Sequence, residues 1–157
     1  MIRVCHMTSA HQPGDTRIFY KECVSLARSG YEVYLVQRGE SGEQEGVHIV
    51  GVGEPTGGRL TRMTSFSNKV YQAALALNAD LYHLYDPELL PYGRKLKKLG
   101  KKVIFDSHEF TSESILEKEW LPVFLRTIIH HCYANYEASV CRQLDGIVTV
   151  SPHVVEY

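Results

Sequence analysis

The 157 residues carry almost no net charge, no long apolar run and no paired-cysteine spacing, and each absence removes a class of function. A formal net charge of −1 leaves no strong field to hold a nucleic-acid backbone. No stretch of eighteen apolar residues is present to span a bilayer as a helix. Met1 is followed at once by Ile2-Arg3-Val4, without the basic segment, apolar core and small-residue cleavage site of an export signal. Cys5, Cys23, Cys132 and Cys141 lack CxxC spacing and sit in apolar patterns, so they read as reduced core thiols of a cytoplasmic protein. There is no internal repeat, low-complexity tract or GxSxG elbow. GVGEPTGG, Gly51 to Gly58, has Thr56 where GxGxxG needs its third glycine and follows the third strand candidate, so it is not a dinucleotide fingerprint.

What is present is alternation. Short apolar runs at Ile2–Thr8, Tyr31–Gln37, Gly46–Val52, Leu81–Tyr85, Lys102–Phe105 and Gly146–Val150 are strand candidates, with helical patterns between most of them. The first helix is expected near Thr16 with Asp15 as N-cap, because Phe19, Cys23, Leu26 and Ala27 share a face and Gly30 follows as a stop. A second spans about Leu60 to Leu77. A third opens at Asp86-Pro87-Glu88, although Pro91 requires an irregular first turn or a later start. The longest runs from about Pro122 to Gln143 and is expected to bury the stripe Leu125, Ile128, Ile129, Cys132, Tyr136 and Val140. Ser114 and Glu117 fit a capping box, and so a short extra helix.

This alternation predicts an α/β fold: a Rossmann-like, doubly wound, mainly parallel sheet with helices on both faces. The link Arg38 to Glu45 is too short for a crossover helix, so the third strand is expected as an antiparallel edge or a loosely attached parallel one. With strand order 3-2-1-4-5-6, the loops after strands one, four and five meet at the switch point where such sheets bind ligands. Those loops are Thr8–Arg17, Tyr85–Glu88 and Asp106–Phe110, and all three are unusually polar. In the last, VIFDSHEF runs from a buried strand straight into Asp106, His108 and Glu109.

Each candidate has a plain alternative. Asp15 and Asp86 read first as helix caps. His108 is balanced between a functional group and a satisfied structural one. Gly14 is a turn residue, or a place where backbone N–H groups approach a phosphate or sugar. His83 is a strand position of unknown facing. The bases Arg94, Lys95, Lys97, Lys98, Lys101 and Lys102 read first as the wet face of a helix and second as a lipid-phosphate contact. Trp120 to Leu125 reads first as a packed helix start and second as an apolar lip against a membrane. His130, His131 and Cys132 are about 100° apart in succession on a helix and cannot all face one metal.

CHMTSAHQPGDTRIFYKECVSLARSGYEVYLV, ADLYHLYDPELLPYG, KKVIFDSHE and LDGIVTVSP, in this order and spacing, resemble the amino-terminal half of retaining family-four glycosyltransferases of the GT-B fold. The resemblance implies a two-domain enzyme: residues 1–150 form the acceptor-binding domain, and a carboxyl-terminal domain binds a nucleotide-activated sugar. It implies that His108 contacts the donor sugar near the reacting centre. Gly14 and Asp15 match the loop that closes over donor phosphates and acceptor, while Arg17, Asp86, Glu88 and Glu109 lie where acceptor contacts are expected. Such enzymes stabilise the leaving diphosphate with basic side chains and helix ends, and no DxD sequence occurs here, so no metal or other cofactor is expected. The acceptor is expected to be a sugar, glycan or lipid-linked glycan of a surface polysaccharide or glycolipid pathway, reached with peripheral contact at the inner face of the membrane. Residues 151–157 begin with Ser151-Pro152, a cap and first helical position, and read as a cut helix leading toward the absent domain. Two other readings stand beside this one: a non-catalytic acceptor-binding or recruiting subunit needing a separate donor-binding chain, and a hydrolase using Asp106, His108 and a metal.

Overall fold

A computed structural model of the chain describes residues 1–107 and 122–149. Among these, seven strands form one sheet: β1 (Arg3–Met7), β2 (Glu32–Gln37), β3 (Gly42–Gln44), β4 (Val47–Gly51), β5 (Leu81–Leu84), β6 (Lys102–Ser107) and β7 (Gly146–Thr149). Their order is β3-β4-β2-β1-β5-β6-β7, and every pairing is parallel except β3 with β4. The sheet is therefore doubly wound, and the order reverses between β1 and β5.

The six strands read from apolar runs all form, in the expected order. The third, β4, pairs in parallel with β2 over five residues. The antiparallel edge is instead a strand inside the polar link, β3, joined to β4 through Glu45 and Gly46, both at positive φ. A two-residue turn with that geometry suits the twist of a hairpin, which lets so short a link fit. The chain then crosses Gly51 closely: a Cβ there would lie 2.3 Å from the Gly39 carbonyl oxygen. Close backbone approach, not phosphate binding, accounts for that glycine.

Helix α1 starts with wide π-type turns over Thr16–Cys23 and tightens to regular helix over Val24–Arg28. Asp15 caps it, accepting from the N–H groups of Arg17 and Ile18. Helix α2 comprises Arg59–Thr61, a wide stretch Arg62–Phe66 and Ser67–Ala76. Helix α3 begins as a tight turn at Pro87–Leu89 and becomes regular over Leu90–Lys98, so Pro91 sits in its first regular turn, where a missing N–H costs nothing. Helix α4 spans Val123–Cys141.

One face of the sheet buries Cys5, Met7, Tyr82, Leu84 and Phe105 against α2, α3 and the carboxyl end of α4. The other buries Val33, Leu35 and Val47 against Ile18, Phe19, Cys23 and Val24 of α1. At Gly93 a Cβ would come within 2.6 Å of Leu84 Cδ1, so α3 lies unusually close to the sheet. Two expectations are corrected. The long helix does not bury its stripe: Val140 is buried, but Ile128, Ile129 and Tyr136 are exposed, because only the end near α3 reaches the sheet. Cys132 on that helix is exposed rather than a core thiol. The capping-box helix at Ser114–Glu117, the start of the Trp120–Leu125 lip and the Ser151-Pro152 helix lie outside the described residues. No described helix is long and apolar enough to cross a membrane.

Candidate functional site

The end of the sheet at which β1, β5 and β6 finish carries two connected polar assemblies. The first ties the loop after β1 to the loop after β5. Asp86, at the end of β5, was expected to cap α3, yet its side chain makes no cap bond. It turns across the switch point, where Oδ2 accepts from the Ser9 N–H at 2.7 Å, the Ala10 N–H at 3.1 Å and the Thr8 hydroxyl at 2.8 Å. Oδ1 lies 3.1 Å from His11 Nδ1. Burial alone would raise the Asp86 carboxyl, but the bonds from His11, Thr8 and Ser9 outweigh it and hold the group below its usual range. Glu88 joins by accepting from the Ser9 hydroxyl at 3.1 Å.

The second assembly runs beneath the sheet. Arg17 donates to the fully buried Asp106 carboxylate at 2.5 Å, and its Nε lies 3.4 Å from Glu22 Oε1. Residues five apart point to different sides of an α-helix, and only the wide turns of α1 bring Arg17 and Glu22 together. Glu22 Oε2 accepts from the Tyr85 hydroxyl at 2.5 Å. That hydroxyl oxygen is in turn 2.6 Å from His6 Nδ1 and 3.3 Å from His83 Nδ1. With its single proton donated to Glu22, Tyr85 can only accept from both imidazoles, which assigns each histidine a proton on Nδ1. Their Nε2 atoms, buried and without a hydrogen-bond partner among the described residues, then carry bare lone pairs. Burial depresses the His6 pKa to about 3, and that of His83 to about 4, so both are neutral. Burial pushes Tyr85 strongly up and raises Glu22 despite the Tyr85 and Arg17 contacts.

His6, Glu22 and His83 place ligand atoms within 4.8 Å of one another. The Tyr85 hydroxyl already sits within hydrogen-bonding reach of all three, so an ion could enter only by displacing it. We read the group as a hydrogen-bonded hub.

Of the residues singled out from sequence, Arg17, Asp86 and Glu88 fall in these two assemblies, while Asp15 caps α1 by accepting from the Arg17 and Ile18 N–H groups. Gly14 heads the same loop, exposed, at φ 78° and with open space where a Cβ would stand. His108 and Glu109 lie outside the described residues; Asp106 anchors the strand end two residues before His108. Sequence reasoning missed His6, Thr8, His11, Glu22 and Tyr85 and left His83 unassigned. The pairing of His6 with His83 across β1 and β5 is a register fact. Glu22 was hidden because its spacing from Arg17 has meaning only on a widened helix.

Residues 14–157 match Glycosyltransferase Family 4. Among solved structures, sucrose-phosphate synthase from Thermosynechococcus elongatus superposes with a TM-score of 0.69 at 14% identity, covering 100% of this chain and 44% of that one. At that identity the likeness concerns the fold, and the chain spans less than half the length of its structural neighbour. No curated protein matches the sequence. A family match over almost all of the chain, laid on a doubly wound half of a GT-B glycosyltransferase fold, means that the protein belongs to glycosyltransferase family 4.

Proposed function

We propose that this chain supplies the acceptor side of a retaining glycosyltransferase that moves a sugar from a nucleotide-sugar donor to a glycan or lipid-linked acceptor. The observation that carries this is the convergence, at the switch point of a family-four chain, of the loops bearing Gly14, Asp15, Asp86 and Glu88. Glycosyl transfer passes through an oxocarbenium-like state that must be oriented and kept from water. Carboxylates and imidazoles held rigidly can orient hydroxyls without themselves forming a bond to the sugar. In this reading His108 contacts the donor sugar, and Gly14 and Asp15 shape the loop that closes over it. Arg17, Asp86, Glu88 and Glu109 line the acceptor side, Arg17 by holding the end of β6. Residues 1–150 act with a carboxyl-terminal donor-binding domain, in the cytoplasm and without a metal cofactor. Contact with an anionic membrane face would involve the exposed Arg94 and Lys98, or the exposed Val123 and Phe124.

The test is transfer from a panel of nucleotide sugars by the enzyme with its donor-binding domain. Retained anomeric configuration in the product supports the proposal, and inversion or absence of transfer overturns it. A second reading makes this chain a recruiting subunit that works with a separate donor-binding chain. It predicts that transfer appears only when two chains are mixed.

A further inference from the structure

Gln37 closes β2, and the sequence alone marks it as no more than the end of a strand. Val33 and Leu35 of the same strand bury against α1, so strand alternation turns Gln37 to that face as well. Continuing the register of β1 with β2 sets Thr8 beside it, and the Thr8 N–H does bond to the Val36 carbonyl at 3.0 Å. On the other side its partner is Gly51, over which the backbone at Gly39 and Glu40 crosses. The loop after β1 reaches the same corner, since a Cβ on Gly39 would touch Pro13 Cγ at 3.6 Å. Gln37 therefore stands at the carboxyl end of the sheet, between the loop after β1 and the turn after β2.

Only 5% of Gln37 is exposed. Among the described residues its amide has no hydrogen-bond partner, and neither polar atom is sealed from solvent. The other buried polar side chains at this end of the sheet are engaged: Thr8 and Ser9 with Asp86, Asp106 with Arg17, and His6 and His83 with Tyr85. Burying an amide that the fold does not use is a cost without a structural return. Arg38, the next residue, donates from Nε to Glu54 at 2.8 Å, and Asp86 is spent on the loop after β1, so the charges flanking this corner are already paired. An amide between them offers an acceptor and a donor side by side to a neutral ligand.

We propose that Gln37 is an acceptor-recognising residue of the crevice, its Oε1 accepting from one sugar hydroxyl while its Nε2 donates to the oxygen of the neighbouring one. That the ligand is a sugar rests on the glycosyl-transfer reading above; the unpartnered amide does not. With no protein partner, the amide bonds to water in the free chain, and a pair of adjacent hydroxyls replaces that water without loss of a hydrogen bond.

The experiment reads the Gln37 side-chain amide by nitrogen–proton correlation NMR on the 157-residue chain, the signal being identified by its absence from Gln37→Leu. Methyl glycosides of glucose, galactose, mannose and N-acetylglucosamine are titrated, with methoxytetrahydropyran, the ring without its hydroxyls, as the control. At least one glycoside is expected to shift the amide signal saturably, and the control to leave it in place. No shift with any of the four overturns the inference and leaves the transferase reading standing; an equal shift with the control overturns recognition of hydroxyls. Gln37→Leu adds a second measurement. Removing an amide that serves no partner strands nothing, so the variant is expected to melt at or above the parent temperature. It is also expected to lose the saturable glycoside response in the backbone signals of the loop after β1. A clearly lower melting temperature would show that the amide holds the fold, and a retained response would place the site elsewhere; either result overturns the proposal. A saturable shift in a protein whose full-length form transfers no sugar keeps this inference and removes that reading.

Discussion

The Tyr85 hydroxyl serves the buried His6 and His83 and the half-buried Glu22 at once, so its removal isolates what the hub contributes. Tyr85→Phe leaves Glu22 Oε2, His6 Nδ1 and His83 Nδ1 without the oxygen they share. Stranding buried polar groups costs about 1–3 kcal/mol each, so a lower melting temperature is expected, and an unchanged one would show the hub to be slack. Acid should act on the same residues. Both histidines have folded pKa values, about 3 and about 4, below the ordinary 6.5. The unfolded chain therefore binds more protons as pH falls. Their contribution is full above about 6.5 and is lost as pH drops toward 4, by at most about 1.4 kcal/mol per pH unit for each ring. The raised Glu22 carboxyl opposes this trend at the acid end. Denaturant melts between pH 7 and 4 should show falling stability, with less slope in His83→Asn; equal slopes would place the acid response elsewhere. For His108, the expectation is kinetic: in the full-length enzyme His108→Ala should lower kcat by about 10- to 1,000-fold, and a normal kcat would move the donor contact away from it.

At the scale of elements, two glycines set how closely chain segments approach. Gly93 holds α3 against β5, where a Cβ would press on Leu84 Cδ1 at 2.6 Å. Gly93→Val should destabilise the fold by about 1–3 kcal/mol, the usual cost of overpacking, and a melt unchanged from the parent would mean that α3 shifts freely. The loop before that helix places Asp86, and Lys97 on the helix holds Asp145, so displacement of α3 should also reach the crevice. Asp145 accepts from Lys97 and Lys102 at 2.7 and 3.3 Å, and from the Val103 N–H at 2.7 Å. Lys101 donates to Asn78, and Lys95 lies over the Tyr71 and Tyr92 rings. Most of the basic cluster thus has internal partners, and Lys101 and Lys102 lie beyond the helix, which ends at Lys98, rather than on its wet face; the exposed Arg94 and Lys98 are the bases tested for lipid contact. Flotation with anionic vesicles at low salt tests that contact; recovery of the chain, lost in the double charge-reversal variant, is the expected result, and no recovery removes it.

At the scale of the whole molecule, the proposed function assigns the donor site to a carboxyl-terminal domain and the acceptor side to this chain. A leaving diphosphate needs preorganised charge around it, and an open half-cleft admits water. The 157-residue chain alone is therefore expected to transfer no sugar from any nucleotide donor. Measurable transfer by the purified chain would overturn the placement of the donor site in another domain.

Strand positions, their order, the Asp15 cap and the polarity of the three loops were legible in the sequence. They rest on local signals: apolar runs, capping chemistry and the handedness of parallel crossovers. The family likeness was legible for the same reason, since its motifs lie in those loops. Tertiary structure decided the rest. Asp86 looked like a cap because its neighbours Pro87 and Glu88 suit a helix start, but a loop 76 to 78 residues away offers it better donors, two backbone N–H groups and the Thr8 hydroxyl. The stripe on α4 has the period of a buried helix, and whether it is buried depends on what stands opposite. His6, His83 and Tyr85 form one hub only because strand register stacks them on one face, above a helix whose widened turns bring Glu22 beneath them.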